Sequence, residues 1–162
     1  MRTDENVPLA TLTTLKVGGV AHLVAPIKDE KDLVDAIALA RAQNLPCYAL
    51  GEGSNVLPND EGYAGLIIRI EIPGISFEES SSEVVLTAGA GVSWDAVVRS
   101  AAERGVWGIE NLAGIPGTMG AAPVQNIGAY GADLAQTLRF VDVYDANTGE
   151  VLQLVAADCE LG

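Results

Sequence analysis

Apolar positions recur along this chain in two rhythms, and each predicts its own kind of element. Ala21 to Pro26 is a short apolar run that reads as a strand ended by its proline. From Asp29 the period lengthens, with Leu33, Val34, Ile37, Ala38 and Ala40 at helical spacing. Asp29, Glu30 and Asp32 suit the positive N-terminus of such a helix, and Asn44 closes it before Pro46. Cys47-Tyr48-Ala49-Leu50 then predicts a buried strand ending at Gly51. A strand–helix–strand unit of this kind favours parallel pairing, with a ligand at the carboxyl end of a strand.

Leu66 to Ile70 predicts another strand. Pro73-Gly74 predicts a turn and a boundary between two lobes, residues about 1–72 and 73–162. Glu83 to Ala88 reads as a strand leading into Gly89-Ala90-Gly91. Ser93 is placed to cap a helix whose apolar stripe is Trp94, Val97, Val98, Ala101 and Ala102, before Gly105. Leu138 to Tyr144 alternates as a strand, and Asn147-Thr148-Gly149 returns it into Val151 to Val155 as a hairpin. The pattern holds no internal repeat and predicts an α+β fold in two small lobes.

The stretch from Glu110 to Gly131 follows neither rhythm. It is glycine-dense and apolar, and it contains no Lys, Arg or His. A long irregular segment of small residues is rare in a compact domain unless backbone must lie against a ligand. Ile115-Pro116-Gly117 and Gly120-Ala121-Ala122 offer close backbone approach to something flat. Gln125 and Asn126 can each donate and accept hydrogen bonds, which suits the carbonyl and N–H edge of a flavin. Gly128-Ala129-Tyr130-Gly131 adds small residues and one aromatic ring. The alternative is a buried omega-type loop packed on itself.

A second loop, Gly51-Glu52-Gly53-Ser54-Asn55-Val56, follows a strand directly. Its two glycines let successive N–H groups point into one concavity, and Ser54 and Asn55 add donors, which suits a diphosphate without a lysine. The same residues suit an ordinary tight turn equally well. A Rossmann fingerprint fails here, because Val56 stands at the third glycine and Pro58-Asn59 prevents a helix. It fails at Gly89-Ala90-Gly91 too, where Trp94 takes the place of the glycine that lets helix and strand pack closely. Trp94 is therefore expected in the core. No glycine is followed by the Lys and Ser/Thr of a Walker loop.

Composition narrows the partners. The 162 residues are 49% hydrophobic but only 5% aromatic, so Val, Leu, Ile and Ala must fill the core. Nine basic against 22 acidic residues give a formal charge of −13, which argues against nucleic acid and anionic membranes as partners. Oriented amides rather than lysines would then hold an anionic ligand; otherwise the charge serves solubility. Cys47 and Cys159 match no metal spacing, and Cys47 is expected to pack as a small hydrophobe. His22 is expected at the surface or in packing, and no metal site is expected. The acidic N-terminus lacks a signal peptide's pattern, and no apolar run approaches the ~20 residues that cross a bilayer. The expectation is a soluble cytoplasmic protein.

Four motifs also resemble one family. Thr14-Leu15-Lys16-Val17-Gly18-Gly19, Gly51-Glu52-Gly53-Ser54-Asn55, Gly114-Ile115-Pro116-Gly117 and Gln125-Asn126-Ile127-Gly128-Ala129-Tyr130-Gly131 look like the UDP-N-acetylenolpyruvoylglucosamine reductases (MurB) of bacterial cell-wall synthesis, in order and approximate spacing. The resemblance implies a two-lobed FAD-binding domain of the vanillyl-alcohol-oxidase (PCMH) type, with FAD between the lobes. It implies that Gly51, Gly53, Ser54 and Asn55 take the diphosphate, with Val56 also among the cofactor-binding residues. Ile115, Pro116, Gly117, Gly120, Ala121, Ala122, Gln125, Asn126, Gly128, Ala129, Tyr130 and Gly131 would lie along the cofactor. The implied chemistry passes hydride from NADPH through FAD to the enolpyruvyl double bond of a UDP-sugar, giving UDP-N-acetylmuramate for peptidoglycan, cell shape and cell division.

Some positions depart from the family's pattern. Thr13 stands where asparagine is usual, Lys16 where arginine is common, and Asp133 replaces a frequent glutamate. Asp158-Cys159-Glu160-Leu161-Gly162 looks like the segment that runs into the family's Tyr-Arg-x-Ser motif. The catalytic arginine, the proton-donating serine, the glutamate and the substrate-binding domain are therefore expected beyond Gly162, and no catalytic residue is assigned within the chain. NADPH and the UDP-sugar would need that further region, so the chain alone is expected to be inactive. Two alternatives remain at this stage: another flavin oxidoreductase on the same scaffold, or a nucleotide-binding or regulatory module without chemistry.

Overall fold

The computed structural model describes residues 1–161; Gly162, the last residue of the segment expected to lead into a Tyr-Arg-x-Ser motif, lies outside the described residues. Four strands, β1 (Asp4–Pro8), β2 (Val20–Ile27), β3 (Cys47–Leu50) and β4 (Tyr63–Ile70), form one sheet in the order β1-β2-β4-β3. Strand β4 runs parallel to both β2 and β3, whereas β1 is antiparallel to β2. Helix α1 (Glu30–Ala42) crosses from β2 to β3 as expected, but β4 is inserted between those two strands.

That insertion corrects one expectation. Strand β3 becomes the sheet edge, and Cys47, Tyr48 and Ala49 are exposed rather than buried. Only Leu50 of this strand enters the core. The edges of α1 agree with the sequence: the Asp29 carboxylate caps it by accepting from the Asp32 N–H at 2.8 Å, and Asn44 lies just past its end with φ +53. Its buried stripe is Leu33, Ala36, Ile37 and Ala40, so Val34 and Ala38 face outward instead. Strand β2 also runs through Pro26 to Ile27. Pairing with β1 ends at Val24, so the missing proline N–H lies beyond that ladder.

Both faces of this sheet are covered. Leu23, Ala25, Ile27, Leu66 and Ile68 pack under α1. Ala21, Val24, Leu50 and Ile67 form the other face with Leu9 and Leu12. Ala21 and Val24 share a face because the β2–β4 register shifts between Ala21 and Leu23, a bulge that reverses the alternation.

The rest of the chain is built from antiparallel pairs. Strands β5 (Ile75–Glu79) and β6 (Val84–Ala88) form one hairpin, and helix α2 (Trp94–Glu103) follows under its Ser93 cap. The two-residue strands β7 (Gly128–Ala129) and β8 (Ala132–Asp133) form a miniature hairpin. The last pair, β9 (Phe140–Asp145) and β10 (Glu150–Val155), is the hairpin that the alternation predicts. Trp94, Val98, Leu112, Ala122, Ile127 and Leu134 make a third core cluster, with Trp94 only 1% exposed.

The seam between these pairs and the four-stranded sheet is close backbone packing. The Gly91 N–H donates to the Ile72 carbonyl at 2.9 Å, and a Cβ on Gly91 would lie 2.4 Å from the Glu71 carbonyl carbon. Tyr144 packs against the core under α1, and the Arg41 guanidinium donates to the Ala146 carbonyl. These glycines sit where two backbones touch, which explains why a glycine pair precedes α2 without forming a nucleotide fingerprint.

Candidate functional site

Strand β3 delivers the chain into the Gly51–Val56 loop at the carboxyl end of the parallel strands. Gly53 is buried with φ +68, and a Cβ there would stand 2.3 Å from the Leu12 carbonyl oxygen. Its own carbonyl accepts from the Thr14 N–H at 3.1 Å. The Leu12–Thr14 segment therefore forms the floor of the loop. Val56 returns the chain to the core beside Leu9 and Leu12.

The second candidate stretch runs from a short 3-10 turn at Glu110–Leu112 to the β7–β8 hairpin. It is fastened to the start of α2: the Trp94 N–H donates to the Gly117 carbonyl at 2.8 Å, the Met119 N–H to Val92 at 2.8 Å and the Gly120 N–H to Ala90 at 2.9 Å. The Trp94 indole donates to the Leu112 carbonyl at 2.9 Å. Gly117 thus takes the first free N–H of α2, and Ser93 Oγ accepts from the Ala96 N–H.

The structure brings the two stretches together, although they are more than sixty residues apart. The Gly117 N–H donates to Glu52 Oε2 at 3.1 Å, Ser54 Oγ donates to the Pro116 carbonyl at 3.4 Å, and Asn55 Nδ2 donates to Gln125 Oε1 at 3.3 Å. Gly51 meets the buried Thr118, whose Oγ1 would be 2.7 Å from a Cβ on that glycine. Gly117 has φ +133, and a Cβ there would project between Ser54 Oγ and Gln125 Nε2, at 3.6 and 3.7 Å.

The other predicted residues divide by exposure. Ala122 is buried, and Ile115 and Ala129 pack against the third core cluster. Gly120 presses on Ala90, and the half-buried Ala121 donates its N–H to the Thr118 carbonyl. Asn126 has φ +42 and donates its N–H to the Pro123 carbonyl at 3.2 Å. Gly128, Tyr130 and Gly131 are exposed on the β7–β8 hairpin, Tyr130 at 93%, and Val124 is 87% exposed beside Gln125. Among the described residues no hydrogen bond ties the Gly128–Gly131 hairpin to the Gly51–Val56 loop. The stretch thus packs one set of apolar residues as core and presents another outward.

Glu52 and Thr118 complete the junction, and neither stood out in the sequence. Glu110 opens the second stretch and accepts from the Gly108 N–H at 2.5 Å, which holds its carboxyl below the usual carboxylate range.

The donor set fits a flavin dinucleotide. The N–H groups of Glu52, Gly53, Ser54 and Asn55 meet no protein acceptor among the described residues, so this loop offers a run of backbone donors without a cation. Gly117 keeps open the space between that loop and Gln125, which a side chain would fill. The side-chain amide of Gln125 lines the same space and accepts from Asn55 Nδ2.

The FAD binding domain family matches residues 21–154. A UDP-N-acetylenolpyruvoylglucosamine reductase of Saccharopolyspora erythraea is 43% identical over 154 residues, covering 94% of this chain and 42% of that protein. The same-named protein of Ralstonia nicotianae is 38% identical over 163 residues, covering 98% of this chain and 47% of its own length. The chain thus spans less than half the length of these relatives. The crystal structure of the UDP-N-acetylenolpyruvylglucosamine reductase from Thermus caldophilus superposes with a TM-score of 0.76 at 30% identity, over 97% of this chain and 53% of that one. A vanillyl-alcohol-oxidase-type flavoprotein of Myceliophthora thermophila, at 17% identity and a TM-score of 0.68 over 85% of this chain and 27% of that one, shares the fold. The α+β architecture is accordingly of the vanillyl-alcohol-oxidase (PCMH) type. The chain belongs to the FAD binding domain family, as the FAD-binding portion typical of the UDP-N-acetylenolpyruvoylglucosamine reductases.

Proposed function

We propose that this chain holds FAD for a cytoplasmic, NADPH-dependent reductase that converts UDP-N-acetylglucosamine enolpyruvate to UDP-N-acetylmuramate in peptidoglycan synthesis. The single observation that carries the proposal is the junction of Gly51–Asn55 with Pro116–Thr118 and Gln125. The names of the relatives supply the substrate class. That no helix among the described residues is long and apolar enough to cross a membrane supports the cytoplasmic assignment.

In this reading residues about 1–72 form one lobe and 73–162 the other, with FAD between them. The N–H groups of Gly51, Gly53, Ser54 and Asn55, with Val56 anchoring the loop, hold the diphosphate. Ile115, Pro116, Gly117, Gly120 and Ala121 lie along the flavin, with Ala122 supporting them from the core. Gln125 and Asn126 meet the polar edge of the ring. Gly128, Ala129, Tyr130 and Gly131 cover the cofactor from the hairpin. The bound cofactor supplies hydride transfer from NADPH to the enolpyruvyl double bond. The chain's own residues bind and orient; none is assigned the proton that completes the reduction, so the isolated 162-residue chain holds FAD without turning over.

Titration of the purified chain with FAD, followed by flavin fluorescence, tests the proposal. One flavin per chain, with loss of binding in Gly53→Val, is the expected outcome. A chain that stays colourless at saturating FAD would overturn it, and turnover of the UDP-sugar by the isolated chain would overturn the assignment of no catalytic residue.

A further inference from the structure

We propose that Glu52 is a positioning residue of the cofactor cleft, holding one edge of the Pro116–Gly117 peptide while Ser54 holds the other. The inference rests on the FAD reading of these two loops. A trans peptide points its carbonyl and its N–H in opposite directions, and no peptide bond among the described residues is cis. The Gly117 N–H donates to Glu52 Oε2 at 3.1 Å, and the Pro116 carbonyl accepts from Ser54 Oγ at 3.4 Å. Two residues of one short loop therefore straddle a single peptide unit. The Ser54 bond is long, so the carboxylate does most of the fixing.

Gly117 needs such fixing. At φ +133 it occupies backbone space that side chains avoid, and a glycine there turns readily between conformations. Its carbonyl is already held by the Trp94 N–H at 2.8 Å. Glu52 supplies the matching restraint on its N–H, so the two peptides that flank Gly117 are held, one from the β3 loop and the next from the start of α2. The plane of that peptide sets the space between Ser54 and Gln125.

Electrostatics point the same way. Glu52 is exposed, and among the described residues no Lys or Arg pairs with it. A lone carboxylate beside a loop that receives a diphosphate repels its ligand. What Glu52 contributes is an acceptor, and a carboxylate accepts from an N–H more strongly than a neutral oxygen does. Glutamine keeps an oxygen at the same reach and drops the charge; alanine drops both.

The test uses the full chain as wild type, Glu52→Gln and Glu52→Ala. Hydrogen exchange of the Gly117 amide is read by NMR without cofactor, and the FAD dissociation constant by titration. Glu52→Ala should speed Gly117 exchange and weaken FAD, each by about tenfold. Glu52→Gln should speed exchange clearly less than Glu52→Ala does and bind FAD at least as tightly as wild type. Unchanged Gly117 exchange in Glu52→Ala, or a Glu52→Gln variant as weak as Glu52→Ala, overturns the role. If no form binds FAD, the cofactor reading fails, and Gly117 exchange still decides whether Glu52 holds the peptide.

Discussion

Gly51 and Thr118 meet across the cleft so closely that a Cβ on the glycine would stand 2.7 Å from the threonine Oγ1. The obstruction is the end of a side chain, so it can be removed. Gly51→Ala should cost about 1–3 kcal/mol of stability through overpacking. Adding Thr118→Ala should recover part of that loss, with a coupling of about 0.5–3 kcal/mol in urea unfolding. Strictly additive losses would mean that the two residues do not share this space.

Gly53 gives the contrasting case. Its obstruction is the Leu12 backbone oxygen, 2.3 Å from a Cβ, and its φ is +68. Gly53→Ala should lose about 2 kcal/mol or more, because strain and clash add. No side-chain trimming nearby should restore it. A Gly53→Ala chain with wild-type stability and FAD affinity would contradict the packing described for this loop.

The Trp94 indole is both the largest side chain of the third core cluster and a donor to the Leu112 carbonyl. Trp94→Phe keeps much of the ring and removes the N–H, leaving that carbonyl unpaired. The expected cost is about 1–3 kcal/mol. Trp94→Ala should cost about 3–5 kcal/mol. Chemical unfolding checks both, and a Trp94→Phe chain as stable as wild type would deny the hydrogen bond a share.

Two carboxylates should shape the acid limb of stability. The Asn147 N–H donates to Asp145 in the β9–β10 turn at 2.8 Å, and the Gly108 N–H donates to Glu110. Both carboxyls are thereby held below the usual carboxylate range. A group whose folded value is lowered stabilises the fold above its unfolded value and loses that contribution as pH falls through the folded one. Asp145→Asn with Glu110→Gln should flatten the decline in melting temperature below the ordinary carboxylate range. Parallel wild-type and variant profiles would remove these groups from the account.

Local signals made much of the fold legible. Asp29 and Ser93 announced both helices because a cap needs only neighbours, and each accepts the expected backbone N–H. Trp94 was readable as core from the stripe it begins. What escaped depended on distant partners. The charged segment Asp4–Pro8 is a strand only because β2 lies beside it. β5 carries an apolar alternation at Ile75 and Phe77, a signal present but broken by Glu78-Glu79. Cys47-Tyr48-Ala49 has the letters of a buried strand, yet its exposure follows from where β4 inserts. The cleft divides likewise: glycines marked both loops, whereas the Glu52–Gly117 bond joins residues whose nearness only the folded sheet creates.

The place of β4 between β2 and β3 also sets an order of events. Strand β3 pairs with β4 alone, and β4 follows the Gly51–Val56 loop in the chain. The residues that lead into that loop have no ladder to join until the chain has passed beyond it to Ile70. A ribosome must therefore deliver the second flank before the first can be anchored in the sheet. Cofactor added during synthesis would find no seat until that strand had docked.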